Sequence, residues 1–340
     1  MKILMAGLGG IGQRHLRNLI AMLGDRLEVL AYRVRRQADV LTDKLQIEPN
    51  SSLEEKYRIT VFNELDKALA QKPDAVFICN PSSLHISVAL AAAEAGCHLF
   101  IEKPLSHSLS QIEELIELVE RKKLVAMVAY QMRFHPCLRR VYDLLSQKLI
   151  GRVVAVRAEV GEYLPGWHSY EDYRQMYASR RDLGGGVILS QIHEMDYIYW
   201  LFGLPRRLFA VGGHLSSLEI DVEDVASILM DCSGVPVHLH QDYIQRPPSR
   251  TLQIIGEKGK LFADFRALTV ERFDGKGESC GCDSFKDFER NQLFTEELAH
   301  FLACIEGKEK PLVSLRDGAQ SLLMALAAKE SLATGKIVDL

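Results

Sequence analysis

The chain has no long hydrophobic run. No stretch approaches the about eighteen consecutive apolar residues of a membrane span, and the short start MKILMA passes into glycines rather than a leader-type cleavage pattern. Excess positive charge is missing too. The 340 residues carry a formal net charge of −4, and the basic clusters Arg35-Arg36, Arg121-Lys122-Lys123 and Arg139-Arg140 are short and scattered. No nucleic-acid footprint is therefore expected. Seven cysteines, odd in number and without framework spacing, argue against disulfides and for a reducing compartment, so a cytoplasmic protein is expected. The one close pair, Cys280-Gly-Cys282, has no second pair and no nearby histidine, and no metal site is expected from it. Internal repeats and low-complexity tails do not occur.

What is present changes grammar along the chain. Up to about residue 130, short apolar runs (2–6, 28–32, 75–79, 98–101, 124–129) alternate with helical patterns around 13–23, 64–70, 87–95 and 112–121. Such alternation predicts an α/β unit, a doubly wound parallel sheet with both faces covered. Beyond it, strand candidates follow one another at 152–160, 208–211, 226–231, 235–243, 252–255, 260–263 and 268–273, several with period-two alternation. A C-terminal helical pair is expected from about 289 to 332. The expected organisation is a dinucleotide-binding Rossmann domain over 1–130. An α+β domain with a large open, mainly antiparallel sheet follows over 131–340, for substrate binding and oligomerisation.

Gly7-Leu8-Gly9-Gly10-Ile11-Gly12 fits G-x-G-x-x-G between the first strand and the first helix. Gly7 permits the tight turn, Gly9 lets a pyrophosphate approach the backbone, and Gly12 allows close helix–strand packing. The helix N-terminus then presents N–H groups to the anion. An NAD site usually places an acid about twenty residues further on, to hold the ribose. Here the second strand ends in Arg33, a guanidinium suited to a 2′-phosphate, so NADP is favoured over NAD.

Two further motifs stand at strand ends: CNPSSLH (79–85) and IEKPLS (101–106). With the glycine loop, the GGG…H-x-x-D pattern at 184–196 and the β-rich second half, the whole chain resembles the glucose–fructose oxidoreductase / inositol dehydrogenase / rhizopine-catabolism (Gfo/Idh/MocA) family. The tract YLPGWHSYEDYRQMY (163–177) further resembles a branch associated with nonulosonic-acid and surface-sugar metabolism. The resemblance implies an NAD(P)-dependent dehydrogenase of sugars or sugar derivatives, with Lys103 catalytic and a cis bond to Pro104. A homodimer or homotetramer is implied as well.

Asn80, Pro81, His85 and Glu102 join the glycine loop, Arg33 and Lys103 as expected cofactor-binding residues, because dinucleotides bind at strand carboxyl ends. In the stretch GGGVILSQIHEMDYIYW (184–200), helical spacing places Ile188, Ile192, Met195, Tyr199 and Phe202 on a buried stripe. Ser190, His193, Asp196 and Tyr197 fall on its flank. His193 is the expected general base as hydride leaves the substrate carbon, and Lys103 the electrostatic partner of the alkoxide. Asp196 is expected to orient the histidine or bind a substrate hydroxyl, and Arg133, His135, Tyr163, Trp167 and Tyr173 are expected at the substrate, with His168 and Arg174 in the same tract. Relatives often carry an aspartate one turn before the histidine; here that turn holds Leu189 and Ser190. Two other functions fit the same motifs. One is an NAD-dependent, redox-neutral glycosidase; the other is a non-catalytic regulator, since the yeast galactose-pathway repressor shares the fold.

Overall fold

A computed structural model describes residues 1–34, 39–49 and 51–340; Arg35 and Arg36, noted above, lie outside the described residues. The chain runs β1 (Lys2–Ala6), α1 (Gly10–Leu23), β2 (Glu28–Tyr32), the small hairpin β3 (Val40–Leu41) and β4 (Ile47–Glu48), then α2 (Leu53–Tyr57), β5 (Thr60–Phe62) and α3 (Leu65–Leu69). It continues with β6 (Ala75–Ile78), α4 (His85–Glu94), β7 (His98–Glu102), α5 (Ile112–Lys122) and β8 (Ala126–Ala129). Six of these strands form one sheet in the order β5-β2-β1-β6-β7-β8, every pair parallel. The order reverses between β1 and β6, and ligands of such sheets bind beyond the strand ends at that point.

The strand sequences explain the layering. Ile3, Leu4, Met5 and Ala6 are all fully buried, as a strand covered on both faces requires. Leu4 and Ala6 pack with Ile86, Leu115 and Ile116 of α4 and α5. Ile3 and Met5 face Leu16 and Leu19 of α1. That second face is closed by a helix from the far end of the chain, α9 (Asn291–Ile305), named here after α6 (Pro136–Ser146), α7 (Val187–Ser190) and α8 (His193–Phe202). Phe301 of α9 lies edge-on to Phe77 and Phe100, at ring separations of 5.6 and 5.3 Å.

The second sheet comprises β9 (Val153–Gly161), β10 (Arg207–Gly213), β11 (Val225–Cys232), β12 (Val235–Asp242), β13 (Ser249–Gly256), β14 (Gly259–Asp264), β15 (Thr269–Asp274), β16 (Ser279–Ser284) and β17 (Val338–Asp339). The order is β16-β15-β14-β13-β9-β12-β11-β10-β17, antiparallel throughout except β12 against β9. Both sheets thus match the expected class, an α/β Rossmann unit plus an α+β part. β5, β16 and β17 were not foreseen; they are short, or lack an alternating apolar pattern. The inner face of the second sheet (Val156, Ala158, Leu239, Leu252, Ile254) packs into the same core as α8 and the last helix, α10 (Leu315–Thr334). That helix starts at a reciprocal Ser314–Asp317 cap. It meets β8 where Gly318 has no side chain: a Cβ there would stand 2.7 Å from Val128 Cγ2.

No helix among the described residues is long and apolar enough to cross a membrane.

Candidate active site

At the switch point, the glycine loop is built as its spacing implies. Gly7 has φ +102°, and a Cβ there would stand 2.7 Å from the Asn80 nitrogen. A Cβ at Gly12 would lie 2.3 Å from the Gly7 carbonyl oxygen. At Gly9, by contrast, nothing lies within 4 Å, and no side chain caps α1. The turn is therefore closed against its own backbone and open toward an incoming group. This arrangement fits a diphosphate. Leu8 and Ile11 contribute their backbone to the turn, and Pro81 takes the chain out of β6. Gln13 braces the loop: its side chain donates to the Leu8 and Asp39 carbonyls and accepts from the Leu41 amide.

Glu102 ends β7, where its Oε1 lies 2.7 Å from His15 Nε2 of α1. The Lys103–Pro104 bond is cis. Lys103 Nζ donates to the Ser190 carbonyl at 2.7 Å, which brings the EKP turn against the residues that precede His193. The helical spacing expected from Ile188 to Phe202 is in fact interrupted. α7 ends at Ser190, Gln191 leaves helical geometry (φ −99°, ψ 35°), and α8 opens at His193. The cause is Gln191, whose amide donates to the Asp242 carbonyl while its own carbonyl accepts from Gln241. The break puts His193 in the first turn of α8, not in the middle of a helix. It also leaves no wet flank: Ser190, His193, Glu194 and Asp196 are all buried.

Burial pushes the His193 imidazole well below its ordinary value, and the charges of Lys103, Arg250 and Arg290 push it further the same way. The ring is neutral at neutral pH. Tyr130 stands edge-on to it at 5.8 Å, and its Nδ1 has no partner among the described residues. A neutral imidazole with an unspent nitrogen beside an ammonium can take a proton from a hydroxyl while the cation stabilises the oxygen left behind.

Several expected ligand contacts are spent inside the protein. Arg133 and Asp196 form a buried bidentate pair, with Nε to Oδ2 at 2.9 Å and Nη2 to Oδ1 at 2.8 Å. The pairing compensates two charges that would each be costly to bury alone. His135 caps α6 by accepting from the Cys137 amide, and its ring is enclosed by Phe265 and Phe288. His85 lies between two carbonyls, Pro104 at 2.8 Å and Asn80 at 2.9 Å; burial lowers its pKa, and the neutral ring donates to one of them. Arg33 is paired with Glu54 at 3.1 Å. Tyr163 lies under the Arg246 guanidinium at 4.0 Å, Trp167 is edge-on to Tyr243, and the Tyr173 hydroxyl accepts from the Glu219 amide. Among the described residues no cluster of three or more metal-ligating side chains occurs.

Arg250 was not foreseen; it reaches Glu194 with two hydrogen bonds at 2.7 and 3.1 Å, across a sequence gap that no local pattern bridges.

A Rossmann sheet with a diphosphate-shaped glycine turn at its switch point, and an ammonium after a neighbouring strand that bonds to the turn before a neutral imidazole, defines an NAD(P)-dependent oxidoreductase acting on CH–OH groups. Residues 1–130 match the oxidoreductase family with an NAD-binding Rossmann fold, and residues 138–262 match the Gfo/Idh/MocA C-terminal domain. The chain belongs to the Gfo/Idh/MocA family. It is similar to myo-inositol 2-dehydrogenase of Thermotoga maritima, at 28% identity over all of this chain and 98% of that protein. Similarity to scyllo-inositol 2-dehydrogenase (NAD(+)) of Bacillus subtilis is 26% identity, over 98% of this chain and 94% of that one. The WlbA dehydrogenase of Bordetella pertussis, solved with NADH and UDP-GlcNAcA, shares the fold with a TM-score of 0.83. Identity there is 21%, with 100% of this chain and 97% of that chain covered.

Proposed function

We propose that the protein transfers a hydride between a nicotinamide dinucleotide, preferably NADP, and a hydroxyl-bearing or keto carbon of a sugar derivative. The observation that carries this reading is the Lys103–Ser190 bond, which sets the ammonium against the turn leading into His193. Gly7 and Gly12 shape the turn and Gly9 leaves it open to the diphosphate, and the dinucleotide when bound supplies the hydride acceptor or donor. His193 takes the hydroxyl proton on its neutral ring, and Lys103 stabilises the alkoxide. Ser190, without a charge, contributes its carbonyl to orient Lys103. Arg33, at the end of β2, prefers a 2′-phosphate, whose charge competes with Glu54 for the guanidinium.

Three cations bear on His193, and Arg250 is matched by Glu194. The surplus supports a substrate bearing a negative group, and the WlbA structure holds a nucleotide-linked sugar of that class. Free thiols at all seven cysteines support a reducing, cytoplasmic setting. Exposed Phe209 and Leu229, paired across β10 and β11, support a homo-oligomer.

The test is fluorescence titration of NADPH and NADH with a panel of neutral and acidic sugar derivatives, followed by turnover on any that bind. The reading expects tighter NADPH binding, a preference reversed in Arg33→Asp, and turnover on at least one sugar. Binding without turnover on any sugar overturns it.

A further inference from the structure

The tract 163–177 belongs to the second part of the chain, yet one of its side chains reaches the glycine loop. A Cβ built on Gly10 would stand 2.8 Å from the Tyr170 hydroxyl, with Leu45 on the other side at 3.4 Å. The tyrosine is not a loose end. Its ring is stacked on His168 at 5.0 Å with 19° between the planes, and His168 Nδ1 lies 2.7 Å from Glu171. On either side the tract is anchored by the Trp167–Tyr243 contact and by Arg174, which spans Asp172 and Glu219.

Gly10 is thus walled while its neighbour Gly9 is open, so the hydroxyl stands at the rim of the diphosphate seat, not across it. Burial, then Glu171, pushes the phenol above its ordinary range, which keeps it protonated. The hydroxyl lies 3.3 Å from His168 Nδ1 on one side, and it can turn from that contact to an acceptor in front.

We infer that Tyr170 is a dinucleotide-positioning residue: its hydroxyl donates to a phosphoryl oxygen of the bound cofactor and holds the substrate-side tract down over it. This rests on the dinucleotide reading of the glycine loop. It ties cofactor release to movement of the tract that also carries Tyr163 and Trp167, so the dinucleotide leaves only when that tract lifts.

The experiment compares the full-length protein with Tyr170→Phe. Dissociation of NADPH and NADH is followed by stopped-flow fluorescence, and binding of ADP-ribose and of adenosine by calorimetry. A hydrogen bond to a charged group is worth about tenfold or more. The expected result is a dissociation rate and an ADP-ribose Kd both raised by about tenfold, with adenosine affinity unchanged. An unchanged or slower dissociation rate overturns the inference while leaving the dinucleotide reading intact. So does an equal loss for adenosine, which would mark a merely structural tyrosine. Failure of the unaltered protein to bind any dinucleotide overturns both.

Discussion

Lys103 and Ser190 are joined by a 2.7 Å hydrogen bond from ammonium to main-chain carbonyl. Through it the end of β7 and the turn before α8, far apart in sequence, share one geometry. A neutral carbonyl orients the lysine without discharging it. Lys103→Ala therefore removes the charge that stabilises the developing alkoxide, and kcat/KM on a confirmed sugar is expected to fall by about 10²–10³. Dinucleotide affinity should change little, because the phosphates are held elsewhere. Steady-state kinetics with a parallel binding titration checks both halves.

The acid–base group carries its own pH signature. Burial and three neighbouring cations lower the His193 pKa well below its ordinary 6.5. The neutral, proton-accepting form therefore persists as pH falls through 6.5, and is lost only lower down. For the oxidation direction, kcat/KM should stay flat from pH 8 past 6.5, with its acid limb beneath that value. A limb at or above 6.5 would contradict the assignment. His193→Ala should cost about 10²–10⁴ in rate and abolish that limb.

Two glycines of one loop are expected to fail in different ways. Gly9 has φ −71° and open space around it, so Gly9→Ala should leave stability within about 0.5 kcal/mol. Its methyl would meet only the incoming diphosphate, and dinucleotide Kd should rise by at least about tenfold. At Gly12 a Cβ would press on the Gly7 carbonyl at 2.3 Å. Gly12→Ala should then cost about 1–3 kcal/mol of stability before any ligand is added. Thermal melting with and without NADPH separates the two.

Buried His135 links stability to pH. Its burial, then Arg250, lower its pKa from 6.5 to about 3. Between those values the unfolded chain binds a proton that the folded one refuses, so this residue's contribution is complete above 6.5 and declines as pH drops toward 3. His135→Asn keeps a cap acceptor for the Cys137 amide but does not titrate there. The variant should be less stable at pH 8, having lost its ring between Phe265 and Phe288, and the gap should narrow steadily in acid. Urea melts across pH 4–8 measure the gap. A constant difference would show that His135 does not carry this linkage.

Local patterns made the scaffold readable. Alternating runs announced the parallel sheet, and the glycine spacing marked its phosphate turn, because both depend on neighbours within a few residues. The eventual partners of polar side chains were not readable. Arg133 was expected at the cleft from its place between the two parts of the chain, and Asp196 beside the histidine or a substrate hydroxyl; the two bind each other across 63 positions. His85 was drawn to the carbonyls of Pro104 and Asn80. The helix break at Gln191 depends on β12, which no periodicity in 184–200 could reveal. Tyr170 stood inside a tract noted for its aromatics, yet nothing in its spacing distinguished it from Tyr163 or Tyr173.

The helix that closes the first sheet, α9, is made only after strands β9 to β16 of the second sheet have been translated. On the ribosome, Phe77 and Phe100 therefore wait without the ring of Phe301. At about 5–20 residues per second the interval is on the order of ten seconds or more. A nascent chain in that interval presents a sticky aromatic wall, and holding factors that shield it would set the yield of native protein.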